Sequence, residues 1–392
     1  MPAPAAATPA PALAVTPATR LPRLAALDAA RALGVLAMVM GHTLDAVLSD
    51  AARQTPLMAR YWQARGFTAP LFLLVSGWAV TLAISRSGAT GWAVPRGRLR
   101  RVLLLLVIGY GLRWPGWALG RLLGGDRDVW AHFLAFDALH CIAVALLATA
   151  LVLGLPWHRL AKAALLAALV AAAVYAGGRA VTPGEVFATA AGLPRSIPGI
   201  AYAQMIGGTS AFPLFPWAAY FFAGTLVGLL APPARRGAAG LGVASVALVL
   251  AATQWWGLGH RTPGDPVLVA YRIGVVLAVL ALLSFVPAAL ATRAAPLGKS
   301  SLGVYAIHLP IVYGWYLLPF YFGWYPLRGL ASSVGKTLGP AAGLAVAALV
   351  LAGSYVLYRL LLVAWRRVRS AELRVLPDRV QRVLGGVGRK RS

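Results

Sequence analysis

Charge is scarce in this chain of 392 residues, and negative charge most of all: 10 Asp and Glu stand against 36 Lys and Arg, with charged types at 12% and hydrophobic types at 60%. Soluble domains are about half apolar and about a quarter charged. So thin a polar complement argues against a protein built of solvated, charged faces. Cysteine is nearly absent too. The single one, Cys141, excludes an intrachain disulfide, and its apolar setting reads as a packing position. No cluster has the ligand spacing of a zinc site, so no metal is expected. No aromatic and basic patterning accompanies the net charge of +26, which therefore does not argue for nucleic acid. Residues 1–19 lack both charge and the compact apolar core of a signal peptide. Their Ala/Pro richness reads as a disordered tail.

What the chain does have is apolar runs long enough to cross a bilayer. A helix rises about 1.5 Å per residue, so about 20 residues cross a hydrocarbon layer of about 30 Å. Ten candidate spans fall near residues 25–48, 67–85, 99–116, 133–155, 159–177, 212–230, 237–254, 267–290, 298–319 and 339–363. The fold class expected is therefore all-α, a polytopic integral membrane protein with about ten transmembrane helices. Residues 1–22 form a tail, 23–363 the membrane domain, and 364–392 a basic tail. The longest connection, 179–210, has room for a short helix over the outer face.

Basic residues orient this arrangement. With a cytoplasmic N-terminus, 22 of the 36 Lys and Arg fall in inward segments and 12 in outward ones, while Arg31 and Arg359 lie within spans. The bias obeys the positive-inside rule and puts both termini in the cytoplasm. Arg96, Arg98, Arg100 and Arg101 crowd the start of the third span. Arg272, in the eighth, sits where a long side chain can snorkel outward.

Ionisable groups inside spans are costly, which makes them candidates for function. The first span holds Asp28, Arg31, His42 and Asp45. Asp28 and Arg31 are three apart and can pair near the inner end. Eleven residues separate Arg31 from His42, about 16 Å of rise, and eleven steps of about 100° return to nearly the same face. Asp45 can orient the His42 ring from the next turn. Asp137 and His140 open the fourth span; Tyr305 and His308 lie in the ninth. Trp217, with Phe215 and Tyr220, opens the sixth. Simpler readings exist for each. Asp28 and Arg31 can set helix depth, each histidine can be a satisfied packing group, and Trp217 can belong to an aromatic belt. A proton relay in a lipid or glycan transporter would also use buried His and Asp.

The same residues carry a family resemblance. Arg23 to Gly34, followed by His42, resembles the first catalytic helix of membrane acyltransferases, and Arg31 with His42 matches the arginine–histidine motif of the acyltransferase-3 family. Ala69–Gly77, Leu139–Ile142, Phe212–Trp217 and Leu297–Ser301 through His308 resemble bacterial relatives of heparan-alpha-glucosaminide N-acetyltransferase. The lysosomal enzyme has an asparagine where His42 aligns and a histidine in the next luminal loop. Residues 50–66 here contain no histidine, so the mechanistic analogy is to acyltransferase-3. The resemblance implies transfer of an acyl group, acetyl in the simplest case, from cytoplasmic acyl-CoA to a hydroxyl or amine of a carbohydrate or glycolipid beyond the inner membrane. It makes His42, with Asp45, the catalytic candidate. Asp28 and Arg31 belong to the donor side, where Arg98 and Arg101 suit phosphates. Asp137, His140, Tyr305, His308 and Trp217 are candidates for the acceptor site or the core around it. The partners expected are the acceptor, membrane lipids and, in a homodimer, a second copy.

Overall fold

The computed structural model describes residues 25–180, 195–207, 210–230, 235–256, 262, 264–314 and 328–375. The N-terminal tail and the segment after Val375 lie outside the described residues. Helices dominate, and among the described residues the single β contact is an isolated parallel bridge between Leu48 and Leu338.

The helices follow in chain order. They are α1 (Ala25–Val47), α2 (Asp50–Arg53), α3 (Pro56–Arg65), α4 (Thr68–Ser87), α5 (Ala93–Leu112), α6 (Leu119–Leu123), α7 (Arg127–Leu134) and α8 (Ala138–Gly154). Next come α9 (Arg159–Ala180), α10 (Ile197–Met205), α11 (Leu214–Leu230), α12 (Arg235–Leu250), α13 (Pro266–Leu283), α14 (Ala288–Lys299), α15 (Ser301–Tyr313), α16 (Leu330–Ser333) and α17 (Pro340–Val375). Each of the ten apolar stretches holds a helix, and α10 supplies the short helix expected in 179–210. The basic segment expected from residue 364 begins as a continuation of α17.

The chain is a polytopic membrane protein, but among the described residues fewer helices than ten meet the requirements for crossing by length and composition. Five of those described do so, and a sixth if the bent pair α7–α8 counts as one span. Physical causes for the shortfall are visible. Four arginines interrupt the first half of α5, and α11 and α15 are shorter than the runs that contain them. The eighth run ends as a helix at Leu283, and α14 occupies the stretch read as a connection to the ninth.

At the centre stands α1, packed against α4, α14, α15 and α17. Its inward face buries Val35, Val39 and Leu44 completely. Large apolar side chains such as Val107 on α5, Val243 on α12 and Leu349 on α17 stay exposed, as a lipid-facing surface requires. The tightest seam joins α4 to α11. A Cβ on Gly77 would run into the backbone oxygen of Phe221, and one on Gly224 into that of Leu74. Thr81 Oγ1 donates across the same seam to the Thr225 carbonyl at 3.2 Å. Small residues let helix backbones meet where lipid gives no hydrophobic drive to pack.

A 57° bend separates α7 from α8, and the break puts Asp137 at the N-terminus of α8. Before the bend, Asp126 caps α7 and accepts from Arg121. That bond chiefly, with the Val129 amide, holds its carboxyl below the ordinary carboxylate range.

Gly224→Val should therefore destabilise the protein by about 1–3 kcal/mol through overpacking. Gly353→Ala meets nothing within 4 Å and should be near neutral. Thermal unfolding of the two variants in one detergent checks the contrast.

Candidate active site

Inside the bundle lies a cavity of about 610 Å³, lined by residues of α1, α3, α4, α5, α7, α8, α11, α13 and α15 and of the segments between them. His42 lines it from the C-terminal half of α1. His308, on α15, is fully buried behind it and is not part of the lining. Their nitrogens meet: His42 Nδ1 and His308 Nε2 are 2.8 Å apart. The ring planes differ by 5° at a centroid separation of 5.1 Å, so the rings lie edge to edge in one plane with a hydrogen bond between them.

A third group sets the direction of that bond. His308 Nδ1 lies 2.9 Å from the Val304 carbonyl one turn earlier on α15. A carbonyl only accepts, so Nδ1 of His308 carries the proton and its Nε2 in the neutral ring is an acceptor. His42 Nδ1–H then donates to it, and His42 Nε2 is left as a lone pair on the residue that faces the cavity. The arrangement can accept a proton at His42 Nε2 and stabilise the resulting imidazolium from behind.

Asp45 is engaged elsewhere. Its carboxylate lies 3.1 Å from Arg53 and 3.6 Å from Arg65, and Arg53 also reaches its backbone oxygen. The orientation expected from Asp45 comes from His308. The helical spacing was right, but the last residues of α2 and α3 bring two arginines onto Asp45.

His140 does not join the other two histidines. Its Nδ1 accepts from the Asp137 amide at 3.1 Å, closing a capping box at the start of α8. Its ring is fully buried against Tyr110 and Phe136 and fits because α5 has Gly109 there, where a Cβ would come within 2.8 Å. Among the described residues its Nε2 has no partner. It caps a helix instead of lining the cavity. Asp137 does line the cavity: it accepts from the Tyr305 phenol at 2.6 Å and lies 3.9 Å from Arg113. Among the described residues, no three His, Cys, Asp or Glu side chains converge so as to hold a metal ion.

Beneath this cavity lies a smaller one of about 100 Å³, lined by Arg31 and Arg101 together with Ser76 and Ser301. Phe72 and Tyr305 line both spaces and stand between them. Gly298 holds α14 close to this end of α1, where a Cβ would lie 2.8 Å from the Asp28 carbonyl and 3.0 Å from Arg31 Cβ. Among the described residues no ion pair within 4.0 Å joins Asp28 to Arg31, so the expected pairing is not formed. Arg98 is turned away from Arg101 and donates to the Ala83 carbonyl of α4 at 3.0 Å.

The main cavity also contains groups that the sequence did not mark for the site: Arg65, Arg113, His132 and Tyr313. Arg65 lies in an ordinary polar helix, and Arg113 looked like the edge of a span. Arg272 was visible as a charge in an apolar run, yet it faces the cavity, as does Trp217. Tyr313 touches His42 edge-on, with ring centroids 5.9 Å apart.

Comparison with known proteins agrees with this geometry at the level of the family. No curated protein matches the chain. A family model described as an acyltransferase domain, that of acyltransferase-3, matches residues 24–359, from the first turn of α1 into α17. The matched stretch includes every side chain of the two cavities. The chain belongs to the acyltransferase-3 family.

Proposed function

We propose that the protein moves an acyl group, acetyl in the simplest case, from cytoplasmic acyl-CoA to a hydroxyl or amine of a carbohydrate on the outer side of the inner membrane. Acyl transfer is the activity of its family. The observation that carries the finer reading is the His42–His308–Val304 chain opening on a cavity, with Arg31 and Arg101 at the opposite end.

Donor and acceptor come from opposite sides in this reading. Arg31 and Arg101 bind the phosphates of coenzyme A, where fixed guanidinium forks suit phosphate oxygens. Arg31 and His42 are eleven residues apart on α1, about 16 Å, an interval that the pantetheine arm can span. Phe72 and Tyr305 stand between the two spaces, and the arm passes them in this reading. The acceptor enters the wider outer cavity. His42 Nε2 takes the proton from its hydroxyl or amine as the oxygen or nitrogen attacks the thioester carbonyl. The carbon–sulfur bond then breaks, and the coenzyme A thiolate takes the proton from His42. His308 holds the ring tautomer throughout. Direct transfer needs no acyl-enzyme.

Charge supports the orientation, with both termini cytoplasmic. Counting α5 and the three shorter apolar helices as spans, with the five long helices and the bent pair, restores an even number of crossings. A periplasmic phosphatase fused after Ser392 should be inactive and a cytoplasmic reporter active. The reverse pattern rejects this topology.

His42→Gln keeps size and polarity but cannot act as a base near neutral pH. It should lower acceptor-dependent release of free coenzyme A by about 10²–10⁴-fold while donor affinity stays close to wild type. His308→Gln retains a group that can accept from His42, so its loss should be smaller. Turnover of His42→Gln at the wild-type rate would remove the base, and a thioester left intact by wild-type protein would favour a proton-relay transporter.

Arg31→Ala should weaken acyl-CoA binding about tenfold or more, as expected for a lost charge-assisted contact. Titration of folded protein with acetyl-CoA measures it. Unchanged affinity would leave Arg31 a residue that fixes helix depth.

A further inference from the structure

The main cavity carries a charge that acyl transfer does not explain. Its charged lining is three arginines, Arg65, Arg113 and Arg272, against one carboxylate, Asp137. Asp137 is already shared between Arg113 and the Tyr305 phenol. Arg65 shares Asp45 with Arg53. Among the described residues no carboxylate lies within 4.0 Å of Arg272. A neutral phenol, Tyr220, adjoins it. Arg272 also lies well inside α13, a helix long and apolar enough to cross the membrane. A guanidinium there without a counter-charge is costly.

Two of these arginines converge beside His42. A Cβ on Gly41, the residue before His42, would lie 3.0 Å from Arg65 Nε. A Cβ on Gly66, the residue after Arg65, would lie 3.2 Å from an Arg272 terminal nitrogen. Arg65 thus lies over the helix turn that carries His42, and Arg272 lies against the segment that carries Arg65. The two glycines leave room for the guanidiniums. Trp217 lines the same cavity and can offer a flat apolar face to a sugar ring.

We infer that the acceptor sugar is anionic, bearing a carboxylate or a phosphate that sits between Arg65 and Arg272 while its reacting group reaches His42. The inference rests on the transfer reading for the word acceptor, but not for the anion site itself. A neutral sugar would leave Arg272 without a counter-charge in a low-dielectric space, and Arg65 with only a carboxylate that it shares with Arg53. An anionic one supplies that charge and is oriented by planar, paired donors. Arg65 and Arg272 would be binding residues, with their effect on the affinity for the acceptor.

The test uses the full chain in nanodiscs of zwitterionic lipid, so that no anionic headgroup competes. Binding of methyl glucuronide, glucose 6-phosphate and neutral methyl glucoside is measured by calorimetry. Coenzyme A release from acetyl-CoA is then followed with each. At least one anionic sugar should bind about tenfold or more tightly than the neutral one. Whether the carboxylate or the phosphate sugar does so tells which anion the site takes. Arg272→Gln and Arg65→Gln should each erase most of that preference, and Arg272→Lys should retain part of it. Equal affinity for all three sugars, including no measurable binding of any, overturns the inference, as does a preference that survives both glutamine variants. Coenzyme A release with neutral and anionic sugars alike would leave the transfer reading standing without the anion site. Anion-selective binding with no release would do the reverse.

Discussion

His42 and His308 share one hydrogen bond, between a ring that lines the cavity and a ring that is fully buried behind it. Each imidazole has two ring nitrogens to satisfy, and a buried polar group without a partner is expensive. On His308 the Val304 carbonyl and His42 account for both. That leaves one nitrogen, Nε2 of His42, on the residue that faces the cavity. The tautomer of His42 is set here by a backbone carbonyl two groups away, and no carboxylate is needed to do it.

The helix packing serves that bond. Only if α1 and α15 stay in register can a ring from each meet in one plane. Tyr305, one turn before His308, ties α15 to Asp137 at the head of α8. Gly298 lets α14 close on the N-terminal part of α1, near Arg31. The glycine seam holds α4 against α11. Along α1 the order Arg31, then His42, is thus converted into two neighbouring spaces of different character. The one at Arg31 is small and basic. The one at His42 is larger, aromatic and also basic.

Much of this was legible in the sequence. Apolar runs located the helices because lipid demands about 20 such residues from each crossing. Arg31 and His42 stood out because ionisable groups within a span have to be accounted for. Their common helix face follows from spacing alone. What the sequence hid was mostly long-range. Nothing near His42 announces His308, which is 266 residues away. Asp45 had the right spacing to hold the ring, but Arg53 and Arg65 fold back onto it. His140 looked equivalent to the other histidines, and it is the capping box with Asp137 that removes it from the cavity. Arg65 and Arg113 carry no local sign of their place, since a solvated arginine and a cavity arginine look alike in one dimension. The break after Leu283 was missed because the apolar run continues to residue 290, and α14 was missed because Arg293 and Lys299 made its stretch read as a connection.

The central claim is that His42 Nε2 faces the reacting carbonyl of a donor whose phosphates stay near Arg31. A density map of the protein with a non-hydrolysable acetyl-CoA analogue tests this most directly. The account predicts phosphate density beside Arg31 and Arg101, the pantetheine arm passing Phe72 and Tyr305, and the acyl carbonyl about 3–4 Å from His42 Nε2. A donor that lies with its phosphates in the outer cavity, or whose acyl group ends beside His140 and away from His42, would contradict it.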